Sequence, residues 1–265
     1  MQNTVAILDQ FENHLARQGK STNTIKVYSR NIRAFLNSNF TDPLEYIMDS
    51  KKSGASPSVM KSRAAALKSW SGYRADHDAA TALDGYRLPR VGAPRPHPVP
   101  GGIRTVRGVL AGTADPRTRV LIALGALAGT RVSESLSVAP CDWDRRTNEL
   151  VITGKGGKTR NIPVSAELAA VLIENMPTND RAKFVHISDR QARNLITGQF
   201  NLCNVYHPDG KNIASHDLRA TFATELYEKT KDIILVQRTL GHASPSQTQE
   251  YIGVNTAAAH EAVNF

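Results

Sequence analysis

The sequence predicts a mainly α protein with one small antiparallel β-hairpin, an α+β class, divided into two parts. Three observations predict this. Apolar residues recur at helical spacing along most of the chain, one stretch changes to short β-prone runs around a glycine-rich turn, and five of the thirteen prolines crowd into residues 88–102.

The first part, residues 1–88, reads as all-helical. Asn3 to Arg17 carries Val5, Leu8, Phe11 and Leu15 on one face. Ser21 is placed to cap a second helix, with Ile25, Tyr28, Ile32, Phe35 and Leu36 as its apolar stripe. On another face of that helix Lys26, Arg30 and Arg33 fall at i, i+4 and i+7, which suits a phosphate backbone or a solvated surface. Asp42-Pro43 begins a third, short helix. Ser56-Pro57, a cap followed by proline at the first helical position, begins a fourth. This last helix has Met60, Ala64, Leu67 and Trp70 as core and Lys61, Arg63, Lys68 and Arg74 as positive charge.

Residues 89–102 hold Pro89, Pro94, Pro96, Pro98 and Pro100 and are expected to form an extended, semi-rigid linker. In the second part, residues 103–265, helices are expected near 104–112, 116–129, 132–138, 165–175, 188–198, 215–229 and 231–240. Asp115-Pro116 is a strong start signal for the second of them. Leu150 to Thr153 and Arg160 to Val164 flank Gly154-Lys155-Gly156-Gly157 and read as the hairpin.

The bulk numbers narrow the function classes. With 40% hydrophobic residues the chain has enough apolar side chain for a real core. A net charge of +9 favours a polyanionic partner, although it also serves solubility. Residues 1–100 hold 14 Lys+Arg against 8 Asp+Glu, so most of the excess lies in the first part. Cys141 and Cys203 form no CxxC pair, which gives no zinc-site or disulfide signal and fits a reducing cytosol. Asp9 and Glu12 are out of place in a signal peptide, and the longest apolar run, near Val120 to Ala128, is short for a membrane span and reads as a buried helix. The sequence shows no GxxxxGK[ST] loop and no cluster of acidic metal ligands, so neither metal nor cofactor is expected.

Five pieces carry candidate chemistry: Gly129-Thr130-Arg131-Val132-Ser133-Glu134; Gly154-Lys155-Gly156-Gly157-Lys158; His216-Asp217-Leu218-Arg219; Leu240-Gly241-His242; and Tyr251. Singly, each has an ordinary reading as a cap, a basic turn or packing. In this order, the stretches GTRVSESLSV, ITGKGGKTRNIPV, SHDLRATFATELYE and LGHASPSQTQEYIGV resemble the tyrosine recombinase (phage integrase) family over about residues 104–254. The helical first part is similar to that family's core-binding domain, and the second to its catalytic domain. Two departures are Ala220, where many members have a second histidine, and Ser246-Gln247-Thr248, where Thr-Thr is commoner.

The resemblance implies a catalytic set of Arg131, Lys155, His216, Arg219, His242 and the nucleophile Tyr251, with Glu134 orienting it. The arginines suit a phosphate because a guanidinium is a planar, permanently charged fork of donors. Tyrosine, with a pKa near 10, needs a base, and His216 is the candidate; Lys155 is the candidate acid for the leaving 5′-oxygen. Candidate DNA contacts are Lys26, Arg30, Arg33, Lys61, Arg63, Lys68, Lys158 and Arg160. The family implies double-stranded DNA as partner, a homotetramer on DNA, a Holliday-junction intermediate, an accessory directionality factor and action in the cytoplasm of a bacterial or archaeal cell. Since the first helix begins almost at Met1, an arm-binding domain is not expected, which points to a compact integrase of a phage or other mobile element. A Xer-type resolution enzyme, a type IB-like topoisomerase and a non-catalytic DNA-binding protein on the same fold are the rivals. The tail after Tyr251, ending NTAAAHEAVNF, is a candidate helix for docking on a neighbouring subunit or a frayed end.

Overall fold

The computed structural model describes residues 2–89 and 97–241, with the side chains of residues 2, 3 and 155 excepted. The chain divides into two compact units, Met1–Ala93 and Pro94–Phe265.

In the first unit the described elements are α1 (Gln2–Arg17), α2 (Thr22–Leu36), α3 (Pro43–Lys52), α4 (Pro57–Tyr73) and α5 (His77–Gly85). The start signals act locally. Ser21 Oγ accepts the Thr24 N–H at 3.2 Å, Asp42 accepts from Leu44 at 2.7 Å, and Ser56 accepts from Val59 at 3.4 Å. Leu8, Phe11 and Leu15 of α1 meet Ile32 and Phe35 of α2 and Met60, Leu67 and Trp70 of α4 in one core. Phe11 and Trp70 pack edge to face with centroids 5.1 Å apart. Asn31 of α2 donates to the carbonyl and hydroxyl of Ser62, which joins α2 to α4 through a polar contact within the interface. Two points differ from expectation. Val5 is 55% exposed, because the core stripe of α1 starts at Leu8. α5 was not expected: it is capped by Asp76 and buries only Leu83, so it carries no apolar period to read.

The second unit is built around α7 (Pro116–Leu127), buried at nearly every position from Thr118 to Ala126. α6 (Gly102–Ala111), α9 (Ala166–Glu174), α10 (Asp189–Leu202) and α11 (Ser215–Thr230) pack against it. The short α8 (Val132–Ser135) follows α7, and α12 (Ile233–Leu240) packs on α11 through Ala220, Ala223, Val236 and Leu240. The sheet has three antiparallel strands in the order β1 (Trp143–Asp144), β2 (Glu149–Thr153), β3 (Thr159–Pro163). Leu150 pairs with Ile162 and Ile152 with Arg160, so the inward face is read off alternate residues. The turn is closed by the Gly154 N–H donating to the Lys158 carbonyl at 2.7 Å.

The expected linker extends less far than residue 102. Val99 is 1% exposed in the core of the second unit, its N–H donates to Thr221 Oγ1 at 2.8 Å, and Gly102 opens α6. Residues 90–96 of that segment lie outside the described residues. Among the described residues, no helix is long and apolar enough to cross a membrane, and no three His, Cys, Asp or Glu side chains are grouped to hold a metal ion.

Candidate active site

The site grows from the end of α7. Gly129 has φ +62, and a Cβ there would stand 2.5 Å from Phe222 Cδ1 and 2.9 Å from Leu240 Cδ2. Only glycine fits both the left-handed backbone and the crowding. The turn it makes aims Thr130 inward, where its hydroxyl and that of Ser135 are hydrogen-bonded at 2.7 Å. Arg131 then stands at the start of α8 with its side chain 38% exposed.

Glu134, one turn later, has a side chain only 4% exposed and gathers the cations. Its Oε2 accepts the Arg131 N–H at 2.8 Å, and its Oε1 accepts from Arg131 Nη1 at 2.9 Å. Arg160 of β3 donates Nη1 to Oε1 at 3.0 Å and Nη2 to Oε2 at 2.8 Å. Arg219 Nη1 lies 3.7 Å from Oε2. Burial on its own would raise the pKa of this carboxyl. The hydrogen bonds from Arg160, the Arg131 N–H and the charges of Arg160 and Arg219 outweigh burial and bring it down to about 2.

Arg219, on α11, is wholly buried. It donates Nη1 to the Gly129 carbonyl at 2.5 Å and Nη2 to the Leu240 carbonyl at 2.6 Å. It therefore ties the Gly129 turn, α11 and the end of α12 together, beyond the phosphate clamp expected of it. His216 opens the same helix and keeps an exposed edge. Desolvation around the rest of its ring, then the charges of Arg219 and Arg131, hold its pKa below the ordinary histidine value. Its neighbour Asp217 accepts from the Ala214 N–H at 2.7 Å and is bonded to His207 Nε2 at 3.0 Å, which fixes the start of α11. The loop histidine His207 was not singled out in the sequence, and no spacing signal marks it.

Arg131 and Glu134, His216 and Arg219, and Arg160 thus come together from three separate segments. For Lys155 the description stops at the backbone, which lies in the β2–β3 turn, and His242, Tyr251 and the tail lie outside the described residues.

The expected DNA contacts divide. Lys26, Arg30, Arg33, Lys61 and Lys158 are exposed, and Lys26, Arg30 and Arg33 line a shallow pocket of about 250 Å³ with Glu12 and Ser29. Arg63 is instead engaged within its own unit: Nη1 donates to Ser50 Oγ at 2.6 Å, and the guanidinium lies 5.4 Å from the Tyr46 ring centroid. Lys68 is paired with Asp84 of α5. Arg160 points inward to Glu134, with a side chain 10% exposed. Alternation along β3 carries the signal for this, since Arg160 and the buried Ile162 are two residues apart on one face.

Residues 107–258 match the model of the phage integrase family. A tyrosine recombinase XerA of Pyrococcus horikoshii is 28% identical over 269 residues, covering 97% of this chain and 92% of that protein. Among solved structures, the XerH site-specific recombinase bound to its difH substrate in a pre-cleavage complex has a TM-score of 0.67 at 20% identity, covering 100% of this chain and 89% of that one. A lambda integrase dimer bound to a COC′ core site has a TM-score of 0.70 at 17% identity, covering 91% and 95%. At these identities the two structures show a shared fold.

Proposed function

The chain belongs to the phage integrase family, and from that premise we propose that it recombines double-stranded DNA at specific sites, with Tyr251 as nucleophile, for the integration and excision of a phage or other mobile element. The observation that carries this reading is that two segments of the chain, 131–134 and 216–219, bring Arg131 and Arg219 to Glu134, with His216 close enough to both guanidiniums to feel their charge.

In this reading the Tyr251 phenol attacks the scissile phosphorus and His216, neutral at working pH, takes its proton. The bond to the 5′-oxygen breaks, and Lys155 supplies the proton to that oxygen. Arg131, Arg219 and His242 stabilise the charge that builds on the non-bridging oxygens; a preorganised donor of this kind is worth about 3–4 kcal/mol in the barrier. The products are a 3′-phosphotyrosine and a free 5′-hydroxyl. A 5′-hydroxyl from another strand reverses the step without ATP, and two such exchanges pass through a Holliday junction. A homotetramer on DNA, assisted by a directionality factor in a bacterial or archaeal cytoplasm, completes the proposal. Lys26, Arg30, Arg33, Lys61 and Lys158 serve as phosphate contacts; the units 1–88 and 103–265 serve as core-binding and catalytic domains.

The test is a duplex with a nick beside the cleavage position, which traps the covalent adduct. The wild-type chain should form an SDS-resistant protein–DNA complex and Tyr251→Phe should form none; no adduct with the wild type on its own site would overturn the reading. A second reading, Xer-type resolution of dimers, is favoured by the match to XerA across nearly the whole of both chains. Sequencing the junctions made in cells separates the two: joined element and host sequences support integration, and resolved dimers at one fixed site support the Xer role.

A further inference from the structure

Arg160 has a position that the proposed chemistry does not use. It stands opposite Ile152 on the inward face of the sheet. All three of its nitrogens donate inside the protein: Nη1 and Nη2 to the two oxygens of Glu134, and Nε to the Thr239 carbonyl at 2.9 Å. A DNA phosphate would have to displace a bidentate carboxylate to reach it. Its side chain also meets backbone at two points that matter. A Cβ on Gly241 would stand 3.0 Å from Arg160 Cδ, and one on Gly154 would stand 3.7 Å from Nη1. Gly241 precedes His242, and Gly154 precedes Lys155.

We propose that Arg160 is a positioning residue for strand transfer: through Glu134 it orients Arg131 and Arg219, and through the Thr239 carbonyl it fixes the end of α12 that leads into His242. One side chain thereby joins the carboxylate that holds two guanidiniums to the end of α12. A lysine cannot replace it, because a single ammonium does not span both carboxylate oxygens and a carbonyl on the far side. The inference rests on the strand-transfer reading above.

The experiment uses the full chain with Arg160→Lys and Arg160→Gln, on the nicked duplex and on the intact site. Three quantities are measured: the thermal midpoint, the salt dependence of DNA affinity, and the single-turnover rate of adduct formation at saturating protein. A displacement of about 1 Å in a reacting group costs on the order of 10²-fold in rate. Arg160→Lys should therefore fold and bind DNA with the wild-type salt slope while forming adduct about 10²-fold more slowly when saturated. A salt slope shallower by about one, with or without slower cleavage, would make Arg160 a phosphate ligand and overturn the proposal. Wild-type behaviour in both variants would overturn it too, and unfolding of both at the assay temperature would assign Arg160 to stability alone. If the wild-type chain forms no adduct in the same gel, the strand-transfer reading fails instead.

Discussion

Glu134 shows how one side chain can organise several charges. Its carboxyl is buried among Arg131, Arg160 and Arg219, and without it three guanidiniums would face each other in a poorly hydrated site. Its pKa near 2 in the folded chain, against 4.5 as its ordinary value, also makes it a source of stability. A depressed carboxyl pKa stabilises the fold above the unfolded value, and that contribution is lost as pH falls from about 4.5 towards 2. The shift corresponds to about 3 kcal/mol. Glu134→Gln should lose roughly 3–5 kcal/mol at neutral pH. Its stability, measured by urea unfolding, should fall less steeply than that of the wild type between pH 4.5 and 2. Parallel curves for the two proteins would mean that the carboxyl titrates in the fold as it does in the unfolded chain. His216 gives a second prediction. As the base it must be neutral, and its pKa lies below 6.5, so the acid limb of the adduct-forming rate should also lie below 6.5. Arg193, which is bonded to Asp189 on α10, contributes to that lowering. Arg193→Ala should move the limb slightly upward, towards 6.5, without abolishing cleavage; a wild-type limb well above 6.5 would remove His216 as the titrating base.

At the scale of elements, the site depends on turns that bring three segments to one carboxylate. The Gly129 turn is the tightest of them. Gly129→Ala combines a positive φ with a Cβ inside contact distance of Phe222 and Leu240, and should cost about 2–4 kcal/mol by denaturant midpoint, with slower adduct formation from Arg131 displaced. A loss under 0.5 kcal/mol would show that the turn relaxes freely. The same scale explains what was legible in the sequence. Caps such as Ser21, Asp42, Ser56 and Asp115 act over three residues, so the starts of α2, α3, α4 and α7 could be read directly. Short β-prone runs around four turn residues placed β2 and β3 within one residue. α5 and the two-residue β1 escaped because neither carries enough apolar residues to show a period. In the site, the order of motifs named Arg131, Glu134, His216 and Arg219, but local patterns do not report what a long side chain reaches. Arg160 looked like a surface cation beside Lys158; alternation with Ile162 signals its inward face, but its partner 26 residues away is beyond any local pattern. Arg63 escaped in the same way, through Ser50 and Tyr46 on α3.

For the whole molecule, the consequential quantity is charge. The chain carries +9 overall, and the first hundred residues hold most of the excess. With Arg63 and Arg160 engaged inside the protein, the cations left exposed among the expected contacts are Lys26, Arg30, Arg33, Lys61, Lys158 and Lys68, the last in a surface pair with Asp84. Each phosphate neutralised by such a residue releases about 0.9 of a counterion, so the slope of log affinity against log salt counts the contacts. If six to ten phosphates are engaged, affinity should fall by roughly 10³–10⁵ between 50 and 200 mM salt. Replacing Lys26, Arg30 and Arg33 together by alanine should make the slope shallower by about three and weaken binding to specific and random duplexes alike, because phosphate contacts position without specifying sequence. Replacing Arg63 should leave the slope unchanged and lower the thermal midpoint instead, since its guanidinium serves Ser50 and Tyr46. Fluorescence anisotropy over a salt series checks both. A slope that ignores the α2 triple variant would move the DNA to another face of the first unit; a slope that responds to Arg63→Ala would mean that this side chain leaves Ser50 for phosphate when DNA binds.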